Sequence, residues 1–213
     1  MLLTEYSLKI RATLTAIGVF FVSFAIACMR FSRFGTDPFV TMNIGLSKYL
    51  GIDFGFVQMV SNVFLVLLML KFARNLIHLG TVLGIFVVGY LSDFLLTVVV
   101  RLPDQLIFRI FALCIGLVCC CFGVALYMST NLGISSYDAL GLILGQEILK
   151  HRKYKEIRVY TDVCCVTMGF VFGAPIGIGT LITAFFTGPL IDLFMKCINH
   201  FFLRREEKLP LGS

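Results

Sequence analysis

Four stretches of this chain run without a charged side chain for longer than most water-soluble folds tolerate. Ala12 to Met29 is uncharged between Arg11 and Arg30, and Phe54 to Leu70 between Asp53 and Lys71. Ile110 to Tyr137 and Val163 to Ile191 are longer still. A bilayer core about 30 Å thick takes roughly 20 apolar residues as a helix, because lipid offers the backbone no hydrogen-bond partners. Only 14% of the 213 residues are charged, against about a quarter in soluble domains. The expected fold class is all-α: a polytopic helical membrane protein, with residues 1–213 forming a single membrane domain.

Several competing classes fall away on the same grounds. The first run, with "FAIAC" at Phe24 to Cys28, imitates a lipoprotein signal. It has a counterpart deep in the chain, so it reads as an uncleaved span. The net charge of +6 comes from Lys and Arg gathered at the ends of spans, "KHRKYKEIR" (Lys150 to Arg158) most densely. That placement fits cytoplasmic anchoring and anionic headgroups rather than nucleic acid. The eight cysteines include "CCC" at 119–121 and "CC" at 164–165, but none forms a C-x-x-C pair and no His follows at zinc-ligand spacing. They read as small packing residues, and no metal or cofactor is expected. No Ser/His/Asp set stands out, and His78, His151 and His200 lie near span ends; an enzyme is not expected.

Six spans follow, near residues 12–30, 54–72, 79–100, 108–129, 158–173 and 178–199, with "GAPIGIG" (Gly173 to Gly179) turning between the last two. The halves resemble each other. At an offset of 98, Ile17, Gly18, Phe24, Ala27, Gly35 and Leu46 match Ile115, Gly116, Phe122, Ala125, Gly133 and Leu144. At an offset of 99, "GTVLGIFVVGYLSDF" (Gly80 to Phe94) matches "GTLITAFFTGPLIDL" (Gly179 to Leu193). At an offset of 100, "SNVFLV" (Ser61 to Val66) matches "TDVCCV" (Thr161 to Val166). Duplication explains the steady offset, with repeat one at about 12–100 and repeat two at about 108–199.

Each repeat also holds a short, mixed-polarity segment, 36–50 and 135–149, with about half the uncharged length a crossing helix needs. If these segments re-enter rather than cross, each repeat has three spans and the two are inverted, as in many transporters. If they cross, there are eight spans and the repeats run parallel. Lys and Arg fall mostly inside on either count. Six spans plus two re-entrant or half-crossing helices is the preferred reading.

Ionisable residues at membrane depth usually face a bundle interior or a cavity. Asp93 and Asp192 hold equivalent places in the third and sixth spans, and Asp162 in the fifth is equivalent to Asn62 in the second. Asp37 and Asp138 flank the starts of the short segments, near Ser135 and Asn43; Ser47, Gln146 and Glu147 lie further along them. Structural readings compete with a functional one. Asp37-Pro38 is a helix-start signal, and "SSYD" (Ser135 to Asp138) can serve in the same way. Arg158 and Asp162 are four apart, which permits an intrahelical ion pair. Asp93 and Asp192 can pair with Arg101 or Lys196. Gly80-x-x-x-Gly84 and Gly141-x-x-x-Gly145 suit close helix packing, and Gly173-x-x-x-Gly177 belongs to the turn. The solute-pathway candidates are therefore Asp37, Asn43, Asn62, Asp93, Ser135, Asp138, Arg158, Asp162 and Asp192. Two short helices meeting at depth would also point their N–H donors at one site.

"GTDPFVTMNIGLSKYLGIDFGFVQ" followed by "GTVLGIFVVGYLSDF", and then "NLGISSYDALGLILGQ", "IRVYTD" and "GAPIGIGTLITAFFTGPLIDLF", resemble the two halves of the YczE/YyaS/YitT-type bacterial membrane proteins. The match covers about residues 12–196. In that family's pattern the short segments read Gly-x-x-Pro-x-Asp. Here the first lacks the later acid, and the second has Ser136 in place of Pro. The resemblance implies a multi-pass protein of the bacterial cytoplasmic membrane, and both termini are expected in the cytoplasm. The expected function is a small-solute transporter or permease in contact with the lipid bilayer. Two alternatives stand beside it: a substrate-binding membrane subunit of a multi-component importer, and a non-transporting scaffold or regulator. A homo-oligomer or importer subunits are the protein partners these readings admit.

Overall fold

The computed structural model describes residues 6–72, 74, 77–133, 135–144 and 154–207, with backbone alone at 79, 138, 142, 154–156, 158 and 202–207. Gln146, Glu147 and the basic residues Lys150 to Lys153 lie outside the described residues. Among the described residues the regular structure is all helical. The helices are α1 (Leu8–Ser32), α2 (Pro38–Leu50), α3 (Phe54–Phe72), α4 (Leu79–Phe86), α5 (Val88–Val99), α6 (Leu106–Ser129), α7 (Ser136–Ile143), α8 (Tyr154–Val171) and α9 (Ile178–Glu207).

Four of them, α1, α3, α6 and α9 over Ile178–Phe201, are long and apolar enough to cross a bilayer. The expected third span is not one straight helix. It breaks at Val87 into α4 and α5, bent by 50°, and the pair counts as a fifth span if taken together. Gly84 and Gly89 weaken the helix around the break. The bend also seats Gly89 against the backbone of Gly55, where a side chain would collide with Gly55 O at 2.8 Å. The expected fifth span is shorter than the charge-free run suggested. The apolar part of α8 is Val159–Val171, about 20 Å at 1.5 Å per residue, because the charged Lys155, Glu156 and Arg158 precede it and the helix ends at Val171.

The centre of the bundle is α1 against α6, running antiparallel. Arg11 at the start of α1 donates from Nε to Thr130 O at 2.7 Å and from Nη2 to Asn131 O at 3.0 Å, capping the carbonyl end of α6. Midway, Gly18 lies against Gly123, where a Cβ on either would meet the other's carbonyl oxygen at under 3 Å. Phe21 meets Phe122 edge to face with centroids 5.2 Å apart. Further along, Gly116 packs on Ala25 and Met29 of α1. At the far end Asp104 binds Arg109 at 2.6 Å and approaches Arg33 at 3.7 Å. Small residues let the backbones close up, which is the main source of helix association in lipid. The Gly80 and Gly84 spacing does not serve that purpose as a pair: Gly80 meets Leu132, while Gly84 faces open space.

After α1 and after α6 the chain turns in the same manner. Arg33 and Asn131 have φ of 59° and 52°, and Gly35 and Gly133 have φ of 101° and 115°. The glycines supply a conformation that a side chain would strain. Each turn then docks on the start of a distant helix. Gly179 N–H donates to Phe34 O at 2.8 Å, and Gly80 N–H donates to Leu132 O at 2.7 Å. Lys48, at the far end of α2, donates to Gly173 O at 3.1 Å in the turn before α9. Both limbs of segment 34–50 thus touch the turn between α8 and α9, while the first residues of α2 point into the bundle.

Candidate functional site

Two short helices start beside one cavity of about 150 Å³. α2 begins as its sequence dictates. Asp37 is the N-cap and its Oδ1 accepts the Phe39 N–H at 3.0 Å, with Pro38 in the first turn. Ser135 is the N-cap of α7 and its side chain makes no capping bond, so the capping expected of "SSYD" is not made by its first residue. Phe39 and Tyr137 stack, centroids 4.8 Å apart and planes 16° from parallel. Asp37, Ser135, Phe39 and Tyr137 all line the cavity.

The wall has two characters. Val19, Val22, Ile26, Val40, Ile85 and Val88 make an apolar side, and Thr36, Gln58, Asn62, Thr81 and Ser136 add polar groups. Those polar groups are held from behind. Asn62 Oδ1 accepts from Ser136 Oγ at 2.5 Å, and its amide donates to Gln58 O at 2.8 Å. Asn43 donates to Gln58 Oε1 at 2.7 Å and to Phe39 O at 3.0 Å, and accepts from Ser61 Oγ at 2.6 Å. Asn43 is fully buried and its partners use both ends of its amide. A satisfied polar network of this kind holds its members in one arrangement. Tyr137 OH donates to Asp162 Oδ1 at 2.6 Å.

Of the residues singled out from the sequence, Asp37, Asn62 and Ser135 reach the cavity wall. Asn43 and Asp162 lie behind it, each supporting a lining residue. Asp93 has a different role. Its Oδ1 pairs with Arg30 at 2.5 Å and its Oδ2 accepts the Gly55 N–H at 2.6 Å, while Arg30 also stacks over Phe54 at 4.3 Å. Its partner is therefore Arg30, 63 positions away, rather than the nearby Arg101. Asp192 and Lys196 are exposed on α9. Ser47 bonds to Ile52 O at the open end of α2, away from the cavity. The side chains of Asp138 and Arg158 lie outside the described set; Asp162 receives Tyr137.

Gln58, Thr36, Thr81 and Tyr137 were not singled out in advance. Gln58 precedes Asn62 by one helical turn, Thr81 belongs to the repeated Gly-Thr pair, and Tyr137 is the counterpart of Phe39 at an offset of 98; those patterns were the available signal. Among the described residues no three of His, Cys, Asp and Glu come together as metal ligands. None of the eight cysteines forms a disulfide.

Long apolar helices packed around a cavity of mixed lining define a helical membrane protein. Residues 9–196 match the family of unknown function DUF6198, and the chain belongs to that family. Its relatives include the uncharacterized protein YyaS of Bacillus subtilis, 29% identical over 90% of this chain and 96% of the relative. An uncharacterized protein of Haemophilus influenzae is 26% identical over 78% of this chain and 75% of its own length. The uncharacterized membrane protein YczE of Bacillus subtilis is 22% identical over 88% and 86% respectively. No solved structure matches the chain.

Proposed function

We propose that this protein is a small-solute permease of the bacterial cytoplasmic membrane, built from two inverted repeats, and that the cavity between α2 and α7 is its solute site. The observation that carries the reading is the convergence of two short helices, one from each half, on a single cavity. Discontinuous helices whose N-termini meet at depth place N–H donors and fixed dipoles where a solute can use them. The antiparallel course of α1 and α6, which match each other in sequence, supports inversion. So do the reciprocal bonds from Gly179 to Phe34 and from Gly80 to Leu132. In this reading α2 re-enters, the broken α4–α5 pair and α8 each count as a crossing, and both termini are cytoplasmic.

The test is solute flux into proteoliposomes, comparing wild type with Asn62→Leu, which removes polarity from the cavity wall. Uptake by wild type that falls at least tenfold in the variant supports the reading; no uptake across a broad solute screen overturns it.

One observation favours the importer-subunit alternative. Only 17% of the α9 apolar window is buried within the chain, against 39–50% for the other three long spans. That face also carries the exposed Asp192 and Lys196. Co-purification of ATPase or coupling subunits, lost on substitution of those two residues, would select this alternative.

A further inference from the structure

We infer that the cavity is built to receive a carbonyl oxygen, and that its occupant is a small solute carrying a ketone- or amide-type carbonyl on a short apolar body. The inference rests on the cavity being the solute site and adds the chemical group by which the solute is recognised.

It starts from Gln58, which lines the cavity and is 4% exposed. A backbone carbonyl fixes which end of its amide faces inward. Phe39 O can only accept, so the Asn43 atom beside it at 3.0 Å is Nδ2. The second Nδ2 proton goes to Gln58 at 2.7 Å, and the atom that receives it is therefore Oε1. Ser61 Oγ donates to Asn43 Oδ1 at 2.6 Å, in keeping with that orientation. Gln58 Nε2 is left with N–H groups that meet no acceptor among the described residues. Packing does not seal the atom, so the surface it keeps lies in the cavity. Asn62, one turn further along α3 and 6% exposed, is oriented by the same logic. Its Nδ2 donates to Gln58 O at 2.8 Å and its Oδ1 accepts from Ser136 Oγ at 2.5 Å, which leaves one N–H over. Residues four apart share a helix face, so both amides present spare donors on the face of α3 that lines the cavity.

The hydroxyls of the wall place their protons within the protein. Thr41 Oγ1 donates to Thr36 O, so the Thr36 proton goes to Thr41 Oγ1. Ser136 gives its proton to Asn62, and Thr187 gives its proton to Thr183 O. A hydroxyl oxygen already bonded through its proton loses little when a lone pair stays empty, whereas a buried N–H without an acceptor is costly. Any solute that displaces water from the two amides has to bring an acceptor of its own. A carbonyl oxygen has two lone pairs and can take one N–H from each amide. Val19, Val22 and Ile26 of α1 offer an aliphatic wall for the rest of the solute. The volume of about 150 Å³ limits that body to a ring about the size of benzene.

The probes are cyclopentanone, which accepts hydrogen bonds and donates none, and pyrrole, a neutral ring of similar size that donates one N–H and offers no lone pair. Binding to detergent-purified full-length protein is measured by titration calorimetry against a detergent blank. Cyclopentanone should bind roughly tenfold tighter than pyrrole. In Gln58→Met, which removes the Nε2 donors, cyclopentanone should weaken roughly tenfold while pyrrole is unchanged. If Gln58→Met fails to fold, the double variant Asn43→Leu with Gln58→Met takes its place, and the wild-type order of the two probes decides on its own. Pyrrole binding as tightly as the ketone, no ketone binding to wild type, or ketone binding unchanged in the variant each overturns the inference. So does an equal loss of both probes, which would make Gln58 a packing residue alone. Ketone binding with no uptake of any solute in the proteoliposome screen leaves the carbonyl site standing and removes the permease reading. Uptake of a solute that has no carbonyl, with no ketone binding, does the reverse.

Discussion

Phe39 and Tyr137 lie face to face, their ring centroids 4.8 Å apart, although 98 positions separate them in the chain. Each belongs to the first turn of a short helix, α2 or α7. The stack therefore joins two helix starts at the cavity wall. Behind it, Tyr137 OH is held by Asp162 of α8, and Phe39 O accepts from Asn43. The Tyr137 ring is thus held at its hydroxyl by a hydrogen bond that lipid could not supply.

Tyr137→Phe keeps the stack and deletes the bond to Asp162. A hydrogen bond to a charged group contributes about 1.5–3 kcal/mol, so the variant should unfold at lower temperature or denaturant than wild type. Asp162→Leu, which removes the acceptor, should cost at least as much. Because both delete one bond, the double variant should cost less than the sum of the singles. Equilibrium unfolding of the four proteins in detergent measures this; strict additivity would mean that the bond does not couple the residues.

Asp93 joins three elements: Arg30 of α1, the Gly55 N–H at the start of α3, and its own helix α5. The side chains are 17% exposed for Arg30 and 28% for Asp93, so water screens them only in part. Removing one partner leaves the other charge short of solvation. Arg30→Met or Asp93→Leu should each destabilise by about 1–3 kcal/mol. The pair together should be less harmful than the two losses added, because apolar replacements can fill a partly buried ion-pair site. Thermal unfolding reads this directly. A double variant as damaged as the sum would show that the ion pair itself is not what Asp93 contributes.

Asn43 is the best-satisfied polar side chain of the site. Asn43→Leu would leave Gln58 Oε1 and Ser61 Oγ without their partner, and each orphaned buried group costs about 1–3 kcal/mol. Asn43→Leu combined with Gln58→Met should recover part of the loss. Solute binding should weaken in the single variant even where the fold survives, since Gln58 lines the cavity and loses its fixed orientation.

How far these features could be read in advance depends on whether their cause is local. Uncharged runs place α1, α3, α6 and α9 to within a few residues, because the need to bury twenty apolar residues is written in consecutive positions. Asp37-Pro38 marks the start of α2 for the same reason: cap and first turn are neighbours. The break at Val87 was not legible, since it depends on Gly89 seating against Gly55 across the bundle. The partner of Asp93 was sought among nearby cations, but α5 faces α1 and the charge it meets is Arg30. The apolar stretch of α8 is also shorter than the expected span, since the helix ends at Val171, ahead of the turn before α9. The cavity residues Gln58 and Thr81 become visible only once helices from both halves are brought together.

The contact between Gly18 and Gly123 sets how closely α1 and α6 approach. A Cβ on Gly18 would sit 2.8 Å from Gly123 O, so Gly18→Val must push the central pair apart. Overpacking of this kind costs about 1–3 kcal/mol or more, and yield and melting temperature should both fall. Gly188→Ala is the control, because nothing lies within 4 Å of a side chain added there. Equal tolerance at both sites would show that α1 and α6 do not meet at these glycines.

The course of α2 decides between a re-entrant segment and a crossing helix, and one residue reports it. Lys9 begins α1 and Leu102 follows α5, on opposite ends of the antiparallel α1–α6 pair. If segment 34–50 enters and returns on one side, Tyr49, which is exposed, lies on the Leu102 side. If α2 crosses, Tyr49 lies with Lys9. Single cysteines at Lys9, Tyr49, Leu102 and His200, in a background lacking the native cysteines, are labelled with a membrane-impermeant maleimide in intact cells and in inverted vesicles. Lys48 reaching Gly173 O and Phe34 O receiving Gly179 N–H put both limbs on one turn. The expected pattern is therefore Tyr49→Cys labelled with Leu102→Cys, and Lys9→Cys labelled with His200→Cys from the opposite face. Labelling of Tyr49→Cys from the Lys9 face would mean eight crossings and parallel repeats, and the inverted arrangement would then have to be abandoned.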